Sequence, residues 1–220
     1  MNPTLQRVLS WIVTLMVPFI LLMIAIRLLF TPLYPQIVYR TPGFPADQYG
    51  FNLDDRLHWS RVSMEYLLND AGIDFLARQE LPDGQPLYNE RELSHMLDVK
   101  VLVQQMITAL MILLVALVAL ALWAWRGNWL PAFIQGLGRG GKLTIGLVLL
   151  ILFGVAISFN GLFTAFHRIF FSGDSWLFFY SDSLIRLFPL PFWMYAFILM
   201  GIITLGGAAL LIWLEKKTVR

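Results

Sequence analysis

The chain of 220 residues has no cysteine, and only 14% of its residues are charged while 58% are hydrophobic. Without cysteine there is no disulfide, thiol nucleophile, Fe–S cluster or thiol–disulfide relay. A soluble domain is about one-quarter charged, so the shortage of charge places the chain in the membrane class. A formal net charge of +2 is too small for an electrostatic grip on nucleic acid. The H-E-x-x-H zinc-protease signature and the Walker A loop are missing, as are internal repeats. Glu92-x-x-His95 has di-iron spacing, but a single copy is what chance supplies.

What is present is apolar sequence in long blocks. Stretches of about 20 residues, enough to cross a bilayer core of about 30 Å, run from about Val8 to Phe30, Met96 to Trp125, Leu143 to Phe166 and Phe192 to Leu214. Each must be helical, because lipid offers the backbone no hydrogen-bond partners. The fold class is therefore all-α. We expect a single membrane domain over 1–220 with four transmembrane helices, a small extracytoplasmic segment over 31–95 and an aromatic outer hairpin within a loop over 167–191. Pro18 is expected to kink the first span and Arg27 to snorkel to the headgroups. That span reads as a retained anchor, since no small-residue cleavage site follows it.

Orientation comes from the cations at the span ends. Arg7, Arg126, Arg139, Lys142, Lys216, Lys217 and Arg220 collect on one side, with Glu215 as the only nearby acid. Of the 14 acidic residues, all but Glu215 fall on the other side or at its boundary. The positive-inside rule then makes both termini cytoplasmic, in a multi-pass inner-membrane protein. On the outer side, Pro32, Pro35, Pro42 and Pro45 predict an extended strap from Thr31 to Pro45. From about Asp55 to Asn69, Leu57, Met64, Leu67 and Leu68 recur at helical spacing, with Asp54 or Asp55 as the cap and Gly72 just past the end. Asn89 and Glu92 predict a capping box that opens the second membrane helix. His95 then lies one turn inside that helix, near the outer surface.

The chain has three histidines. His95 begins the second membrane helix and His167 ends the third. In antiparallel neighbours, both imidazoles arrive at the same depth, at about 1.5 Å of rise per residue. Two histidines at one depth on separate helices are the most specific chemical signal in the sequence. Asp98, three residues after His95, is placed to orient its ring. Lys100 is an ionisable group at membrane depth and hence a functional candidate. His58, in the outer helix, has no comparable partner. Asn160 lies two turns below His167, as interhelical glue or as the lining of a cleft. The outer loop from Arg168 to Tyr180 turns at Ser172-Gly173-Asp174 among many aromatics, Trp176 included. Its plain reading is an interfacial aromatic belt. Its functional reading is a polar pocket of Arg168, Asp174, Asp182 and Arg186 over an apolar floor, suited to a lipid.

The run Asn89-Glu90-Arg91-Glu92-Leu93-Ser94-His95-Met96-Leu97-Asp98-Val99-Lys100 resembles the first histidine region of the bacterial lipoprotein intramolecular transacylase family. Phe166-His167-Arg168-Ile169-Phe170-Phe171-Ser172-Gly173-Asp174-Ser175-Trp176 resembles its second. The likeness covers nearly the whole chain. It departs where Phe178-Phe179-Tyr180-Ser181-Asp182-Ser183 stands in place of the family's Asp-Pro-rich continuation. The resemblance implies an enzyme that acts on diacylglyceryl-modified lipoproteins in membrane lipid, without cofactor or metal. The sn-2 acyl chain would move to the α-amine of the N-terminal cysteine, giving a lyso-form lipoprotein. His95 would be the general base, helped by Asp98, and His167 the acid and oxyanion partner, with the two roles exchangeable and a covalent acyl-imidazole route open. Asp174 would support the pair, and Asn160, Arg168, Trp176 and Lys100 would contact substrate. The competing readings are a non-enzymatic scaffold and a membrane cytochrome with both histidines as haem ligands.

Overall fold

The computed structural model describes residues 2–171 and 173–218. Ser172 of the expected turn and Arg220 of the expected cytoplasmic cations lie outside the described residues. The chain is all-helical, and among the described residues the only β pairing is an isolated bridge between Glu80 and Pro86. In chain order the helices are α1 (Pro3–Leu29), α2 (Leu33–Val38), α3 (Leu53–Leu68), α4 (Asp74–Ala77), α5 (Glu90–Arg126), α6 (Leu130–Phe170), α7 (Ser183–Leu187) and α8 (Leu190–Thr218). The helices α1, α5, α6 and α8 are each long and apolar enough to cross a membrane. With 37 and 41 residues, α5 and α6 extend about 55–60 Å at helical rise, well beyond the hydrocarbon core.

The residues divide into two compact units. The first comprises 1–28, 106–157 and 198–220. Here Gly136 and Gly140 of α6 let its backbone close on α1. A Cβ on Gly136 would meet the Ser10 carbonyl oxygen at 2.6 Å, and one on Gly140 would meet Val17 Cβ at 2.5 Å. Small residues permit this approach where lipid supplies no hydrophobic drive between helices. The Thr14 hydroxyl donates to the Gly136 carbonyl at 3.1 Å across the contact. Lys142 pairs with Glu215 at 2.8 Å.

The second unit comprises 29–105 and 158–197 and holds every candidate site residue. Its core gathers Phe51, Tyr66, Leu67, Leu76, Leu87, Tyr88, Met96, Leu184 and Leu187. Two local expectations need correction. The strap is not wholly extended, because it contains α2. Pro35 falls in the first turn of that helix, where a missing N–H costs nothing. Tyr34 and Tyr39 then donate to the carbonyls of Phe192 and Leu187 at 2.5 and 2.7 Å, and burial pushes both phenols up from their ordinary pKa. The cap of α3 is Asn52, with Asp55 closing a reciprocal capping box from its third position. Pro18 lies within α1, which is helical on both sides of it, and α6 is interrupted within its length. Ser158 is extended there (φ −159°, ψ 95°), and its hydroxyl accepts the Gly161 N–H at 3.1 Å. The serine thereby acts as an N-cap for the stretch that carries Asn160 and His167.

Candidate active site

The first turns of α5 are built by the capping box expected from Asn89 and Glu92. Asn89 Oδ1 accepts the Glu92 N–H at 3.0 Å, and Glu92 Oε2 accepts the Asn89 N–H at 2.8 Å. This fixes the phase of the helix. Glu92, His95, Met96 and Lys100 turn inward, whereas Leu97, Asp98 and Val101 face out. His167 sits near the last turn of α6. The structure brings the two imidazoles together, with ring centroids 6.1 Å apart and planes inclined by 22°.

Aromatic side chains enclose both rings. Phe171 and Phe178 meet His95 edge-on at 4.9 and 5.3 Å. Phe163 and Trp176 lie 4.1 and 5.0 Å from His167. Burial leaves His95 8% and His167 9% exposed, so the imidazoles are nearly dry without being sealed.

Their hydrogen bonding is unequal. His167 Nδ1 lies 2.8 Å from the carbonyl oxygen of Phe163, one helical turn earlier. A carbonyl only accepts, so Nδ1 carries the proton, and in the neutral ring the lone pair is on Nε2. Among the described residues, the buried Nδ1 of His95 has no hydrogen-bond partner. Buried polar atoms are rarely left so.

The other expected site residues divide. Trp176 is at the pair. Asp98 is exposed and makes no hydrogen bond with His95. Asp174, Arg168 and Asn160 are exposed. Lys100 is buried but occupied elsewhere. Its Nζ donates to the Ala71 carbonyl at 2.5 Å and to Asn69 Oδ1 at 3.1 Å, and lies 4.1 Å from the Tyr66 ring centre. Arg186 is likewise committed, to Asp47 at 3.1 Å and over the Phe51 ring at 3.5 Å. His58 is exposed, its ring against Trp59. Among the described residues, no group of three His, Asp or Glu side chains is gathered to hold a metal ion.

Sequence reasoning missed the groups that close the site. Phe163 contributes a carbonyl, which no side-chain pattern advertises. Phe178 was one of many aromatics in its loop. Arg91 reaches that loop, donating to the Leu177 carbonyl at 3.0 Å and lying over the Phe179 ring at 5.3 Å. Asn89 Nδ2 donates to Asp182 Oδ1 at 3.2 Å.

Comparison with known proteins gives a consistent result. A family model described as lipoprotein intramolecular transacylase Lit matches residues 9–193. An uncharacterized protein of Aquifex aeolicus (strain VF5) is 26% identical over 189 residues, covering 86% of this chain and 84% of the relative. Among solved structures, the membrane integral lipoprotein intramolecular transacylase Lit from Bacillus cereus superposes with a TM-score of 0.82 at 20% identity, covering 98% of both chains. A histidine-to-arginine variant of that protein gives a TM-score of 0.77 at 19% identity, covering 97% of this chain and 92% of the other.

Proposed function

This chain belongs to the lipoprotein intramolecular transacylase Lit family, and on that premise we propose that it moves the sn-2 acyl chain of an S-diacylglyceryl lipoprotein to the α-amine of its N-terminal cysteine, using His95 and His167 as its acid–base pair. It is an integral membrane acyltransferase, and lipoproteins are its substrates. Family membership sets aside the scaffold and haem readings. The observation that carries the finer proposal is the pair itself: two nearly buried imidazoles from separate membrane helices, 6.1 Å apart.

The reaction has simple needs. The amine nitrogen attacks the ester carbonyl, a C–N bond forms, and the bond to the glyceryl oxygen breaks. The proton lost by the amine ends on that oxygen. No external reactant enters, and an ester becomes a more stable amide. A base must accept the amine proton, a donor must meet the oxyanion, and an acid must protonate the departing alkoxide.

The Phe163 carbonyl supports giving the base role to His167, since it leaves Nε2 of the neutral ring as the acceptor. His95, with an Nδ1 that bonds no other described residue, then serves as the polarising and proton-donating partner. Of the two assignments compatible with the sequence, this is the exchanged one. The aromatic enclosure keeps competing water from the ester and strengthens each polar contact within.

The cations Arg7, Arg126, Lys142, Lys216 and Lys217 would face the cytoplasm, placing the histidines at the outer leaflet with both termini inside. There a lipoprotein presents its amine and its ester together at headgroup level.

The test uses purified protein in detergent or liposomes with a synthetic diacylglyceryl lipopeptide. Substrate and product are isomers of equal mass, so transfer is read by fragmentation in tandem mass spectrometry and by loss of primary-amine reactivity. Wild-type protein should produce the N-acyl, S-monoacylglyceryl form. His95→Ala and His167→Ala should each lose about 10²–10⁴-fold in rate, the usual range for a positioned general acid or base. A variant that transfers at the wild-type rate removes its histidine from the chemistry.

A further inference from the structure

Glu92 is a buried carboxylate that the acid–base scheme does not use. Its side chain belongs to a residue only 1% exposed, and among the described residues no cation forms a salt bridge with it. Its two oxygens serve different parts of the chain. Oε2 closes the capping box of α5 at the Asn89 N–H. Oε1 accepts the backbone N–H of Leu184 at 2.7 Å, from the first turn of α7. Asp182, the N-cap residue of α7, makes no side-chain capping bond there. Its carboxylate instead accepts from the Phe179 N–H and from Asn89 Nδ2.

The segment leading into α7 is the one that covers the imidazoles. Trp176 stands beside His167 and Phe178 against His95. Glu92 therefore joins the helical turn that bears His95 to the segment whose rings enclose both histidines. Capping alone does not require this. At α3 the same box is closed by Asn52 and Asp55, one methylene shorter, at 2.9 and 3.0 Å.

We propose that Glu92 is a positioning residue for the acyl transfer: by holding the Leu184 N–H it fixes the Trp176–Phe178 segment over the histidine pair and sets the geometry in which the ester meets the imidazoles. The inference rests on the transacylase reading above. A carboxylate is suited to the task because it accepts at both oxygens. An amide of the same length would turn an NH2 group toward one of two backbone donors.

The discriminating variant is Glu92→Asp. It keeps the box that Asp55 closes at α3, but its carboxylate stops roughly 1.5 Å, one carbon–carbon bond, short of Leu184. The expected result is a thermal midpoint and helix content like those of wild type. Hydrogen exchange should rise over residues 176–184, and kcat on the diacylglyceryl lipopeptide should fall about a hundredfold, the scale of a displacement of about 1 Å in a reacting site. KM should stay within about threefold, because the loss is in transition-state geometry. Glu92→Gln, with length preserved and one acceptor lost, should lie between Glu92→Asp and wild type. Wild-type kcat in Glu92→Asp overturns the proposal. So does a fall in kcat matched by an equal loss of thermal stability, which would make Glu92 merely structural. If wild-type protein does not move the acyl chain at all, the transacylase reading itself fails, and this role fails with it.

Discussion

Replacing Lys100 by methionine separates two roles that a buried lysine near an active site could have. Methionine retains the aliphatic stem and removes the ammonium, which donates to the Ala71 carbonyl and Asn69 Oδ1 and lies over Tyr66. A hydrogen bond from a charged donor is worth about 1.5–3 kcal/mol net, and a cation–π contact about 0.5–2 kcal/mol. Against these stands the several kcal/mol that burying an ammonium costs. The substitution also strands the Ala71 carbonyl, whereas Asn69 Oδ1 keeps the Ala71 N–H at 3.0 Å. Leaving that carbonyl unsatisfied costs about 1–3 kcal/mol, corresponding to several degrees in thermal midpoint for a chain of this length. Thermal unfolding in detergent, read alongside lipopeptide kinetics, is the assay. The clasp predicts lower stability with KM within about twofold of wild type. A double-mutant cycle with Asn69→Ala should show coupling of about 1 kcal/mol, as expected for residues in contact. An unchanged midpoint with a raised KM would refute the clasp and place Lys100 at the substrate.

Asp98→Asn should leave transfer within about twofold of wild type, the range of surface changes away from special features, because Asp98 is exposed and bonds nothing on His95. A loss comparable to that of the histidine variants would restore the carboxylate to the mechanism. Gly140→Leu should lower the thermal midpoint or abolish accumulation in the membrane, since even its Cβ would lie 2.5 Å from Val17 Cβ and 2.9 Å from the Thr14 carbonyl oxygen. Overpacking of this kind costs about 1–3 kcal/mol, and a midpoint equal to that of wild type would show that α1 and α6 do not meet as closely as described.

The parts of this molecule legible in its sequence are those governed by one-dimensional rules. Apolar length marks four helices able to cross a membrane. An Asn-x-x-Glu box marks the start of α5, and counting along the helices brings His95 and His167 to one depth. Other features depend on rotation and on contacts distant in sequence. At about 100° per residue, Asp98 falls outside the inward stripe of Glu92, His95 and Met96, which a spacing of three residues does not by itself reveal. The destination of Lys100 depends on where the Asn69–Ala71 turn lies, which no periodicity states. Likewise Ser158 interrupts α6 without a proline to announce it, whereas Pro18 leaves α1 continuous. Interfacial aromatics resemble one another in sequence, and only the fold distinguishes Phe178, against His95, from Phe179, beneath Arg91.

The proposed chemistry would take its direction from the unequal hydrogen bonding of the two rings. Near the end of α6, the imidazole of His167 turns back onto the carbonyl of Phe163, four residues earlier. Near the start of α5, the free groups are N–H donors, and Glu92 and Asn89 already satisfy two of them. His95 makes no equivalent bond, and its Nδ1 has no hydrogen-bond partner among the described residues. The two histidines of the pair thus stand in unequal hydrogen-bonding surroundings. In the proposed acyl transfer such inequality would let one ring accept a proton while the other gives one. Two imidazoles in identical surroundings would share one tautomer preference and compete for one role.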